Sequence, residues 1–87
     1  MRKLNIEVRI AVFAMRYKMI GLKIAYYRKL RGYTQGQLAG KIGISTTYLG
    51  QIERGNNGKS FSLETLLLIA TGLDVEVDLL LSGNENV

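Results

Sequence analysis

The 87-residue sequence contains no cysteine and no histidine. Without cysteine, the chain can form neither a disulfide framework nor a thiolate metal site. Without histidine, it lacks both the commonest general base of enzymes and the commonest zinc ligand. It also lacks a phosphate-cradling glycine-rich loop and a convergent pair of carboxylates. We therefore expect no catalytic residue, no metal and no cofactor, and we predict that the protein is not an enzyme.

Long apolar runs are also missing. No stretch approaches the roughly eighteen apolar residues that a membrane-spanning helix requires. The basic start MRK followed by apolar residues superficially resembles a signal peptide, but Glu7 and Arg9 interrupt the segment that would have to be uncharged. A hydrophobic fraction of 47% argues against disorder. The sequence predicts one small, soluble, cytoplasmic domain.

Acidic residues are scarce in the first part of the chain. The net charge is +5, but residues 1–59 hold all twelve lysines and arginines against only Glu7 and Glu53, a local balance of +10. Residues 60–87 hold five acids and no base. A polyanion would be attracted to the first part and repelled by the second. On charge alone, a merely solvated surface is the alternative.

Helix signals follow one another from about residue 20 onwards. A first helix is predicted from about Ile20 to Leu30, closed by Gly32 in the left-handed conformation. Thr34 opens a second helix with a capping box to Gln37, and Gly43 ends it. The remaining signals predict a third helix between Ser45 and Gly55, a fourth capped by Ser62, and a short fifth from about Glu76 to Leu81.

The N-terminal residues 1–19 are ambiguous. Apolar residues occupy every even position from 4 to 12, which is typical of a strand, yet Ile6, Ile10, Phe13 and Tyr17 have helical spacing. We favour a short strand or extended arm, and a domain organisation of 1–19 extension, 20–82 folded domain and 83–87 frayed tail. The extension could pair as a strand with its twin in a dimer, since exposed alternating apolar residues otherwise invite aggregation. It could also be a basic arm that follows phosphates, or a non-native start.

The most informative segment is residues 35–54, QGQLAGKIGISTTYLGQIER. Two helices that cross steeply need a very small residue at the crossing, and Ala39 is such a residue. Gly43, four residues later, tolerates the positive φ that the turn requires. Apolar residues also stand at each position that the contact between the two helices needs: Leu38, Ile42, Ile44, Leu49 and Ile52. This combination indicates a helix-turn-helix unit.

With the stretches LRGYTQGQLAGKIGIS, YLGQIERG and SLETLLLIATGLDV, residues 20–81 resemble the Cro/cI-type, or Xre-family, repressor domain. The resemblance implies an all-α, five-helix lambda-repressor-like fold, with the third helix in the major groove of double-stranded DNA. It usually implies a homodimer on a near-palindromic operator. Leftover apolar surface on the fourth and fifth helices is the expected dimer interface, and Asp74 stands where the family often has glycine.

The resemblance places base-reading residues at Thr46, Thr47 and Gln51 of the third helix. Glutamine can bond to adenine in a bidentate manner, and a threonine methyl group can meet that of thymine. Ser45 and Gly50 are expected on the same outward side. Gly50 departs from the family pattern, which has a larger polar residue there. The alternative is that short polar residues simply solvate a surface helix.

Phosphate contacts are expected at two places. Thr34 and Gln35 stand at the N-terminus of the second helix, where free N–H groups attract a phosphate, and the resemblance assigns this role to Gln35. Both could instead be caps only. A second set stands at or beyond the ends of the third helix and would position the protein without reading sequence: Ser45, Arg54, Asn56, Asn57 and Lys59. Lys41 is a weaker candidate.

Arg28 and Glu53 receive a structural role from the resemblance, which implies a partly buried ion pair between the first and third helices. The sequence thus predicts a sequence-specific DNA-binding transcriptional regulator, a repressor, with no evident small-molecule effector site. The alternative is a protein-interaction module or antitoxin-type partner with weak or no specific DNA binding.

Overall fold

A computed structural model describes residues 5–55 and 60–82 of the chain. Five α-helices follow one another in this part: α1 (Ile6–Leu30), α2 (Gln35–Ile42), α3 (Thr46–Arg54), α4 (Leu63–Leu73) and α5 (Val77–Leu81). No strand occurs among the described residues. The predicted all-α, five-helix architecture is therefore confirmed. The predicted frayed tail, residues 83–87, lies outside the described residues.

The helices begin at the caps that the sequence indicates. At α2, the Thr34 hydroxyl accepts from the Gln37 N–H at 3.0 Å, and the Gln37 side chain accepts from the Thr34 N–H at 2.9 Å. The side chains of Ser45 and Ser62 likewise cap α3 and α4. Glu76 makes no such bond, and α5 begins at Val77, one residue later than predicted.

The helices α2, α3 and α4 end in residues with positive φ. Gly43 closes α2 at φ 77° and Gly55 closes α3 at φ 62°. Asp74 closes α4 at φ 59°, so an aspartate does adopt the left-handed conformation where the family often has glycine. The turns between α2 and α3 and between α4 and α5 are thus fixed by local backbone preferences.

The strand predicted within residues 1–19 is wrong for the described part of that segment. α1 begins at Ile6, where the Asn5 side chain accepts from the Val8 N–H at 2.8 Å, and continues without a break through Ile20 to Leu30. A helix satisfies its backbone hydrogen bonds internally, whereas a strand needs a partner, and the described residues offer none. The helical spacing of the apolar residues therefore prevails over their alternation.

The core is built around α1, α3 and α4. Its largest fully buried side chains come from every helix: Ile24, Leu38, Leu49, Ile69, Leu73 and Leu80. Gly21 allows α1 to lie directly against α3, because a Cβ atom there would collide with the Ile52 carbonyl oxygen. Similarly, a Cβ atom at Gly72 would collide with the Ile42 side chain. The packing of α1 on α3 orients the helix-turn-helix unit.

Two cations from elsewhere in the chain cap the C-terminal end of α4. Arg31 donates to the carbonyl oxygens of Leu73 and Asp74, each at 2.9 Å. Lys41 donates to the Gly72 carbonyl oxygen at 2.9 Å. Positive charge is favourable at this end of a helix, and α4 has no basic residue of its own in the last turn. These bonds tie α4 to the end of α1 and to α2. Among residues 5–55 and 60–82, no helix is long and apolar enough to cross a bilayer.

Candidate nucleic-acid interface

Residues 35–54 form the two short helices predicted for them, α2 and α3. Ala39 is buried, and the turn is closed by a hydrogen bond of 3.0 Å from the Ile44 N–H to the Ala39 carbonyl oxygen. Leu38, Leu49 and Ile52 lie in the core. The apolar side of both helices therefore faces inward, which leaves the polar side of α3 outside.

The outer side of α3 carries all the predicted base-contact residues and one predicted phosphate-contact residue, Arg54. Thr46 and Thr47 are exposed and Gln51 is half-buried. Thr47, Gln51 and Arg54 follow one another at intervals of four and three residues, so their side chains share one face of the helix. This face combines a methyl-bearing hydroxyl, an amide and a guanidinium, which are groups that can reach base edges and phosphates.

Gly50 is buried, so its predicted outward position is wrong. A Cβ atom at Gly50 would lie 3.0 Å from Nη1 of Arg54 and 3.5 Å from Oε1 of Gln35. The space that a larger residue would fill is therefore occupied by two of the predicted phosphate-contact side chains. The departure from the family pattern has a structural reason that spacing alone did not indicate.

A buried hydrogen-bond network lies beneath this surface. The guanidinium of Arg28 binds the Glu53 carboxylate with two nitrogens, at 2.6 Å through Nε and 2.9 Å through Nη2. Its Nη1 donates to the Tyr33 carbonyl oxygen at 2.9 Å. Arg28 and Glu53 are only 8% and 6% exposed. The ion pair that the family resemblance implies is thus present, and bidentate geometry makes it a strong contact between α1 and α3.

Gln35 belongs to the same network. Its Nε2 donates to Oε1 of Glu53 at 2.9 Å, which ties the first turn of α2 to the last turn of α3. Glu53 is the sole acid in the sequence of α2 and α3, and it is paired with Arg28. A carboxylate that would otherwise repel a polyanion is therefore neutralised.

The N-terminal ends of α2 and α3 lie close together. A Cβ atom at Gly36 would lie 3.7 Å from the Thr46 hydroxyl and 4.0 Å from that of Thr34. Among the described residues, the N–H groups of Gln35 and Gly36 donate to no hydrogen-bond acceptor. Thr46 is predicted to contact a base and Thr34 a phosphate, and both hydroxyls lie beside Gly36 at the start of α2.

Of the other predicted contact residues, some are exposed, some are engaged within the chain, and some lie outside the described residues. Arg54 is exposed, and the Ser45 hydroxyl accepts from the Tyr48 N–H at 3.0 Å as a cap. Lys41 donates to the Tyr33 hydroxyl at 2.8 Å as well as to α4, so its ammonium is engaged within the chain. Asn56, Asn57 and Lys59 lie outside the described residues.

Three comparisons with known proteins bear on this site. Two relatives are the transcriptional regulator SinR of Bacillus licheniformis, 42% identical over 67 residues, and SinR of Bacillus subtilis (strain 168), 43% identical over 63 residues. These alignments cover 77% and 72% of this chain but only 60% and 56% of the relatives. The chain therefore matches little more than half the length of either regulator.

Solved structures of DNA-binding regulators are also similar to this chain in sequence and fold. The restriction-modification controller protein C.AhdI from Aeromonas hydrophila is 33% identical, with a TM-score of 0.68 over 74% of this chain and 94% of that one. SinR in complex with DNA is 42% identical, with a TM-score of 0.68 over 74% of this chain and 100% of that one. A helix-turn-helix family model matches residues 24–80. The chain belongs to the helix-turn-helix family of the Cro/cI, or Xre, type.

Proposed function

We propose that this protein is a sequence-specific DNA-binding transcriptional regulator, a repressor, that binds as a homodimer with α3 in the major groove. The observation that carries the proposal is the outer face of α3, where Thr47, Gln51 and Arg54 are aligned above a buried ion pair. SinR has been solved with DNA bound, which supports the same activity here. The protein would act in the cytoplasm and have no catalytic activity.

Base reading is assigned to Thr47 and Gln51, together with Thr46. Gln51 stands one helical turn beyond Thr47 on the same face, so the two side chains can meet neighbouring base pairs. Thr46 lies beside the start of α2, which also allows its hydroxyl to reach a backbone phosphate. A good bidentate contact from Gln51 would discriminate its base by about 1–3 kcal/mol.

Phosphate binding is assigned to two groups on either side of that face. The first is the N-terminus of α2, where the N–H groups of Gln35 and Gly36 and the Thr34 hydroxyl offer donors at the positive end of a helix. The second is Arg54, next to Gly50, together with Ser45, Asn56, Asn57 and Lys59. The Gln35 side chain acts mainly by fixing the start of α2 to Glu53.

Selection of bound sites from random DNA, followed by titration of the selected site, tests the proposal. Gln51→Ala should relax base preference at one position more than it lowers general affinity. Arg54→Ala should weaken binding to all sequences and reduce the salt dependence by roughly 0.9 log unit per log unit of salt. Flat, weak binding of the unaltered protein to every sequence would contradict the proposal.

A protein-interaction module, or an antitoxin-type partner, is the second candidate. It is favoured by the large apolar side chains that α1 exposes, including Ile6, Met15 and Tyr26. Such surfaces commonly mark interaction sites. The titration described above separates the two candidates, because an interaction module would show no preferred sequence.

A further inference from the structure

The first turns of α1 stand apart from the folded body. Every residue from Asn5 to Phe13 is exposed, and α1 meets another element only from about Tyr17, whose ring packs edge-on against Phe61 with 5.0 Å between centroids. An isolated helix as short as this exposed segment is marginally stable in water without tertiary packing. This segment is helical by continuity with the packed half of α1, and a partner along its apolar side would stabilise it.

One apolar stripe runs along the whole of α1, and only half of it is covered. Ile6, Ile10, Phe13, Tyr17, Ile20 and Ile24 follow one another at alternating intervals of four and three residues. This is the spacing of a helix–helix seam. Ile24 is fully buried in the chain's own core, whereas Ile6, Ile10 and Phe13 are 61%, 60% and 57% exposed. The same apolar stripe thus packs in the core at its C-terminal end and is exposed to solvent at its N-terminal end.

A shallow apolar groove lies where the covered half of the stripe begins. Tyr17, Ile20, Phe61, Leu63 and Leu66 line it. Leu63, at the start of α4, is 66% exposed. Each copy of the chain therefore offers an uncovered stripe and, about 16 Å further along the helix from Ile6, an uncovered groove.

These two features are complementary to each other in a second copy of the chain. The body lies on the stripe side of α1 from Tyr17 onward, so a copy bound in parallel would bring its own body into the same space. An antiparallel copy avoids this collision and places its Ile6 over the groove beside Tyr17. Specific interfaces bury about 600–1,000 Å² per partner. The stripe alone would fall short of this area, but the stripe and groove together extend the contact over both elements.

The opposite face of α1 is less suited to self-association. It exposes Val8, Met15, Leu22 and Tyr26, but basic residues stand on both sides of it: Lys23 on one side, Lys18 and Lys29 on the other. Like charges that face each other across an interface are unfavourable. Two copies joined through that face would bring basic residues together on both of its sides, whereas the stripe has Arg9 and Arg16 on one side only and Glu7 on the other.

We propose that the stripe Ile6–Ile10–Phe13 is a self-association surface, which packs antiparallel against the same stripe of a second copy and inserts its end into that copy's groove. The stripe lies outside residues 24–80 that match the family, whereas the groove is lined from both sides of that boundary. It supplies a contact for the homodimer of the proposed function, but it is tested without DNA. If the chain does not self-associate through this surface, the assignment of DNA binding to α3 still stands.

Disulfide trapping tests the geometry, because the chain has no cysteine of its own. An equimolar mixture of Ile6→Cys and Tyr17→Cys proteins should form a mixed disulfide rapidly on oxidation, whereas Ile6→Cys alone should not. A mixture of Ile6→Cys with Met15→Cys, on the opposite face, is the control. If Tyr17→Cys does not fold, Ile10→Cys with Phe13→Cys tests the same pairing. Rapid trapping of Ile6→Cys with itself, or equal trapping in the control, would overturn the proposal.

Sedimentation of the DNA-free protein tests the surface. Phe13→Lys should weaken self-association by about tenfold or more, while Met15→Lys, equally exposed but on the opposite face, should leave it nearly unchanged. The antiparallel arrangement brings Arg9 near Arg16 of the partner subunit, so added salt should strengthen association. An unaltered protein that stays monomeric up to about 1 mM would overturn the proposal, as would loss of association in Met15→Lys alone.

Discussion

At the scale of single residues, Glu53 connects three helices. Its carboxylate accepts from Arg28 of α1 and from Gln35 of α2 while it belongs to α3. The contact is almost fully removed from solvent, so each partner depends on the other for compensation of its charge. Glu53 therefore determines both stability and the orientation of the α2 N-terminus.

Replacement of Glu53 should show this dependence. We expect Glu53→Gln to lower the free energy of unfolding by about 3–5 kcal/mol, because the Arg28 charge is left buried without its counterion. Urea denaturation measures the loss, and Glu64→Gln, at an exposed acid of α4, is the matched control. The double variant Arg28→Met with Glu53→Leu should recover much of the stability. A loss equal to that of the control would contradict the structural role.

Gly50 offers a second test at this scale. Alanine gains about 1 kcal/mol over glycine in a helix interior. At Gly40, where a Cβ atom meets nothing within 4 Å, Gly40→Ala should raise stability by that amount and leave DNA affinity unchanged. At Gly50, a Cβ atom displaces the end of the Arg54 side chain. Gly50→Ala should therefore lower DNA affinity, measured by titration, without loss of stability.

At the scale of elements, the sequence predicts the helices that carry their own start and stop signals. The capping box of α2, the serine caps of α3 and α4, and the glycine ends of α2 and α3 are all formed as predicted. Their physical basis is local, since a cap is satisfied within one turn of the chain. The helix-turn-helix unit was predictable for this reason.

What the sequence did not predict depends on contacts between distant residues. The first half of α1 has two apolar stripes on opposite faces, which produce the same alternation as a strand, so periodicity alone could not decide between them. The burial of Gly50 depends on where the side chains of Gln35 and Arg54 lie. The close approach at Gly21 depends on the crossing of α1 and α3, which no local pattern encodes.

The close contact between α1 and α3 at Gly21 can be tested by substitution. Gly21→Ala places a Cβ atom against the Ile52 carbonyl oxygen, which belongs to the backbone and cannot turn aside. We expect a loss of about 1–3 kcal/mol in the free energy of unfolding, as for overpacked cores. Urea denaturation alongside Gly40→Ala checks the sign, since the same substitution should stabilise at one glycine and destabilise at the other.

At the scale of the whole molecule, most basic residues and most acidic residues stand in different parts of the chain. α1 carries six of the twelve lysines and arginines and one acid, Glu7, whereas the acids of residues 60–82 stand in α4 and α5 and in the turn between them. The protein can thus present a basic side to DNA while its acids lie on other helices. Salt should weaken DNA binding and strengthen the proposed self-association, two effects of opposite sign in one molecule.

Removal of the projecting segment tests the division between body and extension. A chain that starts at Met15 retains the buried residues of the core, because none of residues 5–20 is buried. We expect its free energy of unfolding to stay within about 1 kcal/mol of the intact monomer, since exposed positions contribute little. Circular dichroism during urea denaturation measures this. A large loss of stability would show that residues before Met15 are part of the fold.

The continuity of α1 from Ile6 to Leu30 has a geometric consequence. A continuous helix fixes the rotation of one end relative to the other, and Arg28 ties its last turns to α3. If two copies are joined at the first turns of α1, the length and rotation of this helix determine the distance and the angle between the two α3 helices. Insertion of a single residue between Phe13 and Tyr17 would turn one end by about 100° relative to the other. The length of α1 would then determine the preferred spacing between the two DNA half-sites.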